Sequence, residues 1–152
     1  MATYFLDSSA LVKLYHPEVG SHKVEEIFRE PGRRIVISRL TVVEVQSAFV
    51  LRIRMGTVTT TESTSLRNRF IDDVATGALT VLAVKEWHYA EAERLINQYG
   101  STKRLRTLDA LQLAVALEAK QIGTLDALVA ADKALCQVAT AEGVSVIEPE
   151  IP

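Results

Sequence analysis

Cysteine is almost absent: the 152-residue chain holds one, Cys136. A lone cysteine excludes an internal disulfide and any multi-cysteine zinc site, so the expected setting is a reducing cytoplasm and the expected role of Cys136 a buried small hydrophobe. Three histidines, His16, His22 and His88, lack metal-ligand spacing such as H-E-x-x-H and read as surface residues. No glycine-rich phosphate loop is present, which removes support for ATP or NAD chemistry. Ser8-Ser9 is not framed by the G-x-S-x-G of a serine hydrolase. No stretch approaches the length of a membrane span, and the opening residues lack the basic and long apolar regions of a signal peptide.

Charge of either sign is also scarce in net terms. Seventeen Lys and Arg against nineteen Asp and Glu leave −2, which on its face argues against nucleic acid. If four acids are metal ligands, the rest of the surface carries −2 + 4 = +2, so the balance decides nothing by itself. A hydrophobic fraction of 48% and a charged fraction of 24% are ordinary for a globular domain. The length fits one domain over 1–152.

Strand and helix signals alternate along the chain. Strands are expected at 3–7, 34–38, 79–84, 128–131 and 144–147. Helices are expected from Ser8 toward Pro17, over 21–30, from Thr41 to Met55, from the Thr-rich 57–65 stretch to about Ala75, over 86–99 and 108–120, and in the segment before Gly143. Helix 108–120 is apolar nearly all round and reads as interior. Alternation of this kind indicates an α/β fold with a mostly parallel sheet, whose ligands bind beyond the carboxyl ends of the strands.

Four acids share that address. Asp7 closes the first strand, and Glu44 is read in the first turn of the helix after the second. Asp109 starts the buried helix, and Asp132 follows the 128–131 strand. Each has a plain structural explanation: Asp7 and Asp132 as N-caps, Thr41-Val-Val-Glu44 as a capping box, Asp109 as a complement to the helix dipole. Two observations point further. Asp109 and Gln112 are the only polar residues from Leu108 to Leu117, and a buried carboxylate needs compensation. A parallel sheet would also gather these caps into one acidic cluster, whose repulsion a hard divalent cation reverses.

The segments carrying these acids resemble the PIN-domain family, and within it the VapC-type toxins. They are Phe5-Leu-Asp-Ser-Ser-Ala-Leu-Val-Lys-Leu-Tyr15, Ile37-Ser-Arg-Leu-Thr-Val-Val-Glu-Val45, Leu108-Asp-Ala-Leu-Gln-Leu-Ala114, Leu128-Val-Ala-Ala-Asp-Lys-Ala-Leu135 and Gly143-Val-Ser-Val-Ile147. Each is weak alone, but together they keep the family's order and spacing. The resemblance implies a three-layer α/β/α sandwich and an endoribonuclease using Mg²⁺ or Mn²⁺. The catalytic and metal-binding acids would be Asp7, Glu44, Asp109 and Asp132. Ser8 or Ser9 would orient Asp7 or a water, and Asp109 or Glu44 would orient the attacking water. It further implies an RNA substrate, a cognate antitoxin and a homodimer. Two positions depart from the family pattern: Ala130 stands where Thr or Ser is common, and Gln112 where His is often found.

Among the cations, Lys103, Arg104 and Arg106 lead directly into Asp109 and are the best candidates to hold RNA phosphates. Lys13 is a weaker one, and Arg33, Arg34, Arg39, Arg52 and Arg54 are further possibilities beside the reading of a solvated surface. Trp87, Tyr89 and Tyr99 read as core or interface residues. Phe49 and Leu51 suit core packing, or an antitoxin or dimer contact. A phosphatase with a nucleophilic Asp7 would want a second acid at position 9, which is Ser9. A receiver domain would want adjacent acids near the first strand. The remaining alternatives are a PIN-like scaffold that binds RNA or protein without cutting, and a housekeeping nuclease.

Overall fold

The computed structural model describes residues 1–152. Five strands, β1 (Thr3–Leu6), β2 (Arg34–Ser38), β3 (Thr80–Leu82), β4 (Ala127–Val129) and β5 (Val146–Ile147), form one sheet in the order β3-β2-β1-β4-β5, with every pairing parallel. The chain starts at the centre of the sheet, builds outward through β2 and β3, then returns to the other side of β1. Seven helices connect the strands: α1 (Ser8–Tyr15), α2 (Ser21–Arg29), α3 (Arg39–Arg54), α4 (Thr60–Ala75), α5 (Glu86–Tyr99), α6 (Thr107–Gln121) and α7 (Lys133–Ala141).

The period of two along each strand divides the interior into two layers. Phe5, Val36 and Leu128 face one layer and pack with Leu95 of α5, Leu113 of α6 and Val138 of α7. Their neighbours Leu6, Ile35, Ile37 and Val129 face the other, against Leu11, Val45 and Phe70 of α1, α3 and α4. The three-layer α/β/α expectation holds. Strands buried on both faces read as continuous apolar runs, which is how Arg34–Ser38 was legible at its observed bounds.

One boundary differs in a way that matters. The helix expected from Thr41 starts at Arg39, because Ser38 ends β2 and also caps α3, its side chain accepting from Thr41 N at 3.3 Å. Strand passes into helix with no loop between them. Glu44 therefore lies in the second turn, and Thr41-Val-Val-Glu44 is not a capping box. In the Thr-rich stretch, Thr59 caps α4, with Glu62 N donating to Thr59 Oγ1 at 3.1 Å.

One side-chain expectation is corrected. His88 is buried rather than on the surface. Its Nδ1 accepts from Lys85 N at 2.8 Å, which places the ring proton on Nε2, facing Glu118. Trp87 and Tyr89 are about half exposed, outside the core. Phe49 packs in the core as expected, whereas Leu51 is exposed. No helix is long and apolar enough to cross a membrane.

Candidate active site

After β1 the chain enters α1 on one face of the sheet, and after β4 it enters α7 on the other. Connections that leave adjacent strands toward opposite faces open a crevice between the strand ends, the place where parallel sheets bind ligands. Asp7 follows β1 and Asp132 follows β4, one on each side of that crevice.

Asp7 is buried, with 3% of its surface exposed. It caps α1 as expected, its Oδ2 accepting from Ser9 N at 3.2 Å and from Ser9 Oγ at 2.7 Å. Ser9 Oγ in turn accepts from Ala131 N at 2.9 Å. One hydroxyl thus ties the acid after β1 to the segment leading from β4 to Asp132. Burial raises the Asp7 pKa most, opposed by the Ser9 bonds and assisted by the charge of Asp109.

Glu44 points to the same place from α3. Its carboxyl is also raised, first by burial and then by the charges of Asp7 and Asp109, against hydrogen bonds from Gln112 and Ser8 that favour the ionised form. Gln112 is fully engaged: its Nε2 donates to Glu44 Oε1 and Thr41 Oγ1, each at 2.7 Å, and its Oε1 accepts from Ser38 Oγ at 2.6 Å. The departure noted at position 112 is thus a side chain that fixes Glu44 against α6. Ser9 contacts Asp7 directly, and Ser8 is near enough to favour the ionised form of Glu44.

Asp109 lies in the first turn of α6 and is 5% exposed. Its partner is Arg106, whose Nε donates to Asp109 Oδ2 at 3.0 Å and whose NH2 group reaches Asp132 Oδ2 at 3.2 Å. Asp132 also caps α7, Oδ1 accepting from Leu135 N at 2.9 Å. The structural and functional readings of these acids are therefore compatible: two of the four are caps, and all four stand at the crevice.

As the side chains stand, no three His, Cys, Asp or Glu side chains converge closely enough to hold a metal ion. Each acid is held by a neighbouring side chain instead: Asp7 by Ser9, Glu44 by Gln112, and Asp109 and Asp132 together by Arg106. The donor set still fits a hard divalent cation. All its ligating atoms are carboxylate oxygens, and Asp7, Glu44 and Asp109 are near enough to oppose one another's ionisation.

Of the cations singled out, Arg106 reaches the acids, and Lys103 and Arg104 line the adjoining cleft with it. Lys13 does not join them. It is 4% exposed, and its Nζ contacts Val19 O at 2.7 Å, Glu150 Oε1 at 2.6 Å and Glu18 Oε1 at 3.2 Å. All three donors are engaged, so the expectation of an RNA contact there is corrected. Arg52 is likewise paired, with Glu18 at 2.7 Å.

A family model for the PIN domain matches residues 4–141. The chain belongs to the PIN domain family. Proteins of this family are generally nucleases and generally use divalent metal ions. Among solved structures, this PIN domain is similar to Mycobacterium tuberculosis VapC20, described as a sarcin-ricin loop cleaving toxin. The identity is 14%, the coverage 95% of this chain and 97% of that one, and the TM-score 0.66. PAE2754 from Pyrobaculum aerophilum aligns at 22% identity over 97% and 85% of the two chains, with a TM-score of 0.67. VapBC2 from Rickettsia felis, bound to a DNA fragment from its promoter, aligns at 15% over 95% and 97%, with a TM-score of 0.63. At such identities these likenesses concern the fold. None of the curated protein sequences matches this PIN domain.

Proposed function

We propose that this PIN domain is a Mg²⁺- or Mn²⁺-dependent endoribonuclease acting as the toxin of a type II toxin–antitoxin pair. The observation that carries the nuclease reading is that Asp7, Glu44 and Asp109 stand around the crevice beside β1 within range of one another's charge, the first two with carboxyl pKa values raised chiefly by burial and further by their acidic neighbours. Acids held this near one another, at a cost chiefly of burial with mutual repulsion added, are suited to a cation and to phosphate chemistry.

Asp7, Glu44, Asp109 and Asp132 would hold the cation. When bound, it supplies positive charge that polarises the scissile phosphate and acidifies the attacking water. The chain's own residues supply the geometry. Ser9 fixes the Asp7 carboxylate, Gln112 fixes Glu44, and the start of α6 with Arg106 fixes Asp109. Glu44 or Asp109 orients the water in line with the phosphate. Lys103, Arg104 and Arg106 hold flanking phosphates.

The toxin role, a cognate antitoxin, a homodimer and a cytoplasmic setting extend the same reading. It draws on the likeness to VapC20 and to the VapBC2 assembly. A second reading, a PIN module that binds without cutting, draws on the pairing of Arg106 with two of the four acids. One assay separates them. Protein stripped of metal and supplied with Mn²⁺ should cleave single-stranded RNA, and excess EDTA should stop it. Undiminished cleavage in EDTA, or none with either ion, overturns the proposal.

A further inference from the structure

Lys13 is a buried charge that the proposed chemistry leaves unused. It lies on α1, 4% exposed, and its ammonium bonds in three directions. Glu18 Oε1 accepts at 3.2 Å and Val19 O at 2.7 Å, both in the loop between α1 and α2. Glu150 Oε1 accepts at 2.6 Å, in the segment that follows β5. Glu18 passes the tie on: its Oε2 accepts from Arg52 of α3 at 2.7 Å, and Arg52 also donates to Ala48 O of the same helix. Burial alone would raise the Glu18 carboxyl, but the bonds from Arg52 and Lys13 outweigh it and hold the carboxyl below its ordinary value. Two cations thus meet two anions. The backbones close up at the same place. Gly20 has a φ of +89°, and a Cβ there would stand 3.0 Å from Pro149 O, so the loop and the segment after β5 meet with no side chain between them.

Each member of this quartet belongs to a support of the acid site. α1 begins beside Asp7, α3 carries Glu44 about two turns before Arg52, and β5 pairs with β4, whose end leads to Asp132. We infer that Lys13 is a positioning residue: through Glu18 and Glu150 it ties α1 to α3 and to the segment after β5, and so holds Asp7, Glu44 and Asp132 in place around the crevice. The sheet fixes only the base of that crevice, where Asp7 N donates to Val129 O at 3.0 Å. Beyond the strand ends, Ser9 Oγ and Ala131 N join the walls at the mouth, and the quartet braces α1 at its far end. The inference rests on the reading of the acids as a cation site and adds what keeps them there. The tie itself exists without a cation.

Removing one member of a buried ionic group destabilises largely by stranding its partner's charge, whereas removing a balanced pair is often neutral. Lys13→Met should therefore lower the melting temperature. Lys13→Met/Glu150→Gln leaves the Arg52–Glu18 pair balanced and should recover most of that loss. Positioning should not recover. In EDTA, amide exchange followed by NMR should be roughly fivefold faster at Ala131 N in the double variant than in wild type, the protection given by one ordinary hydrogen bond, because its bond to Ser9 is no longer braced. Mn²⁺ affinity by isothermal titration calorimetry should fall about tenfold, the low end for a lost support of metal ligands. Glu150→Ala cuts one arm at a half-exposed residue, leaves the rest of the quartet in place, and should shift both readings the same way by less. Arg94→Met removes a cation shared by Glu91 and Glu142, outside the acid site, and should shift neither.

Wild-type exchange at Ala131 in both the double variant and Glu150→Ala overturns the inference, as does faster exchange with Mn²⁺ affinity intact. Recovery of exchange and affinity together with melting temperature would make Lys13 a charge balance and no more. An equal shift in Arg94→Met would make the effect general, which also overturns it. A wild type that binds no Mn²⁺, while the double variant exchanges faster, removes the cation reading and leaves the tie. A wild type that binds Mn²⁺, while exchange is unmoved in the variants, does the reverse.

Discussion

Arg106 Nε donates to Asp109 Oδ2 at 3.0 Å, from the residue that immediately precedes α6 to a carboxylate in that helix's first turn. The same guanidinium reaches Asp132, so a cation of the chain itself sits among the acids. Its own pKa is raised, chiefly by Asp109. The side chain is 71% exposed, which makes each pair weak, about 0.5 kcal/mol, and leaves the arm free to swing.

Arg106 and a divalent ion compete for the same two carboxylates. Arg106→Gln should therefore bind Mn²⁺ about fivefold more tightly, the equivalent of two such pairs. Isothermal titration calorimetry reads this without any substrate. Weaker Mn²⁺ binding by Arg106→Gln would mean that Arg106 organises the acids rather than competing for them.

The raised pKa values of Asp7 and Glu44 set the pH dependence of the metal-free protein. A carboxyl whose folded pKa lies above its unfolded value binds more protons when folded. Its contribution to stability is complete below the unfolded value of about 4 and is lost as pH rises through the folded one. Melting temperature in EDTA should thus decline as pH rises above about 4, as far as these two groups govern it. Asp7→Asn should flatten the decline and melt at or above wild type near neutral pH, since Asn caps a helix as well as Asp does. A steeper decline in Asp7→Asn would contradict the assignment.

Asp109→Asn separates a ligand from a helix-start residue. Metal that binds only the folded state at one hundred times its dissociation constant adds about 2.7 kcal/mol, or roughly 5–11 °C at this chain length. Wild type should gain this with Mg²⁺, and Asp109→Asn should gain much less. Equal gains would remove Asp109 from the site.

The acids were legible in the sequence because their positions follow from local rules. Apolar runs mark buried parallel strands, and Asp7 and Asp132 are the residues that leave two of them. Asp109 stands out on an otherwise apolar helix. What was not legible depends on partners far away along the chain. Gln112 meets Glu44 across 68 residues, and Lys13 meets Glu150 across 137. Neither contact leaves a periodic trace. Ser38 was hidden differently: it serves strand and helix at once, so the start of α3 lay two residues before the pattern that announced it.

Gln112 gives the sharpest separation of positioning from chemistry. It is 1% exposed and serves three partners, two of which, the hydroxyls of Ser38 and Thr41, are completely buried. Gln112→Leu preserves approximate volume but takes from the Ser38 hydroxyl its acceptor and from the Thr41 hydroxyl its donor, at about 1–3 kcal/mol apiece. It should destabilise the protein by about 2–6 kcal/mol and lower its melting temperature by roughly 4–24 °C. It also frees the Glu44 carboxylate, which loses the hydrogen bond favouring its ionised form, so its pKa should rise further. The acid limb of the pH–rate profile for RNA cleavage should then move to higher pH. Gln112→His, which retains one donor and one acceptor, should recover part of the stability and return the acid limb toward wild type. A purely structural role predicts the stability loss alone, with the acid limb unmoved in both variants; that outcome would detach Glu44 from the proposed chemistry.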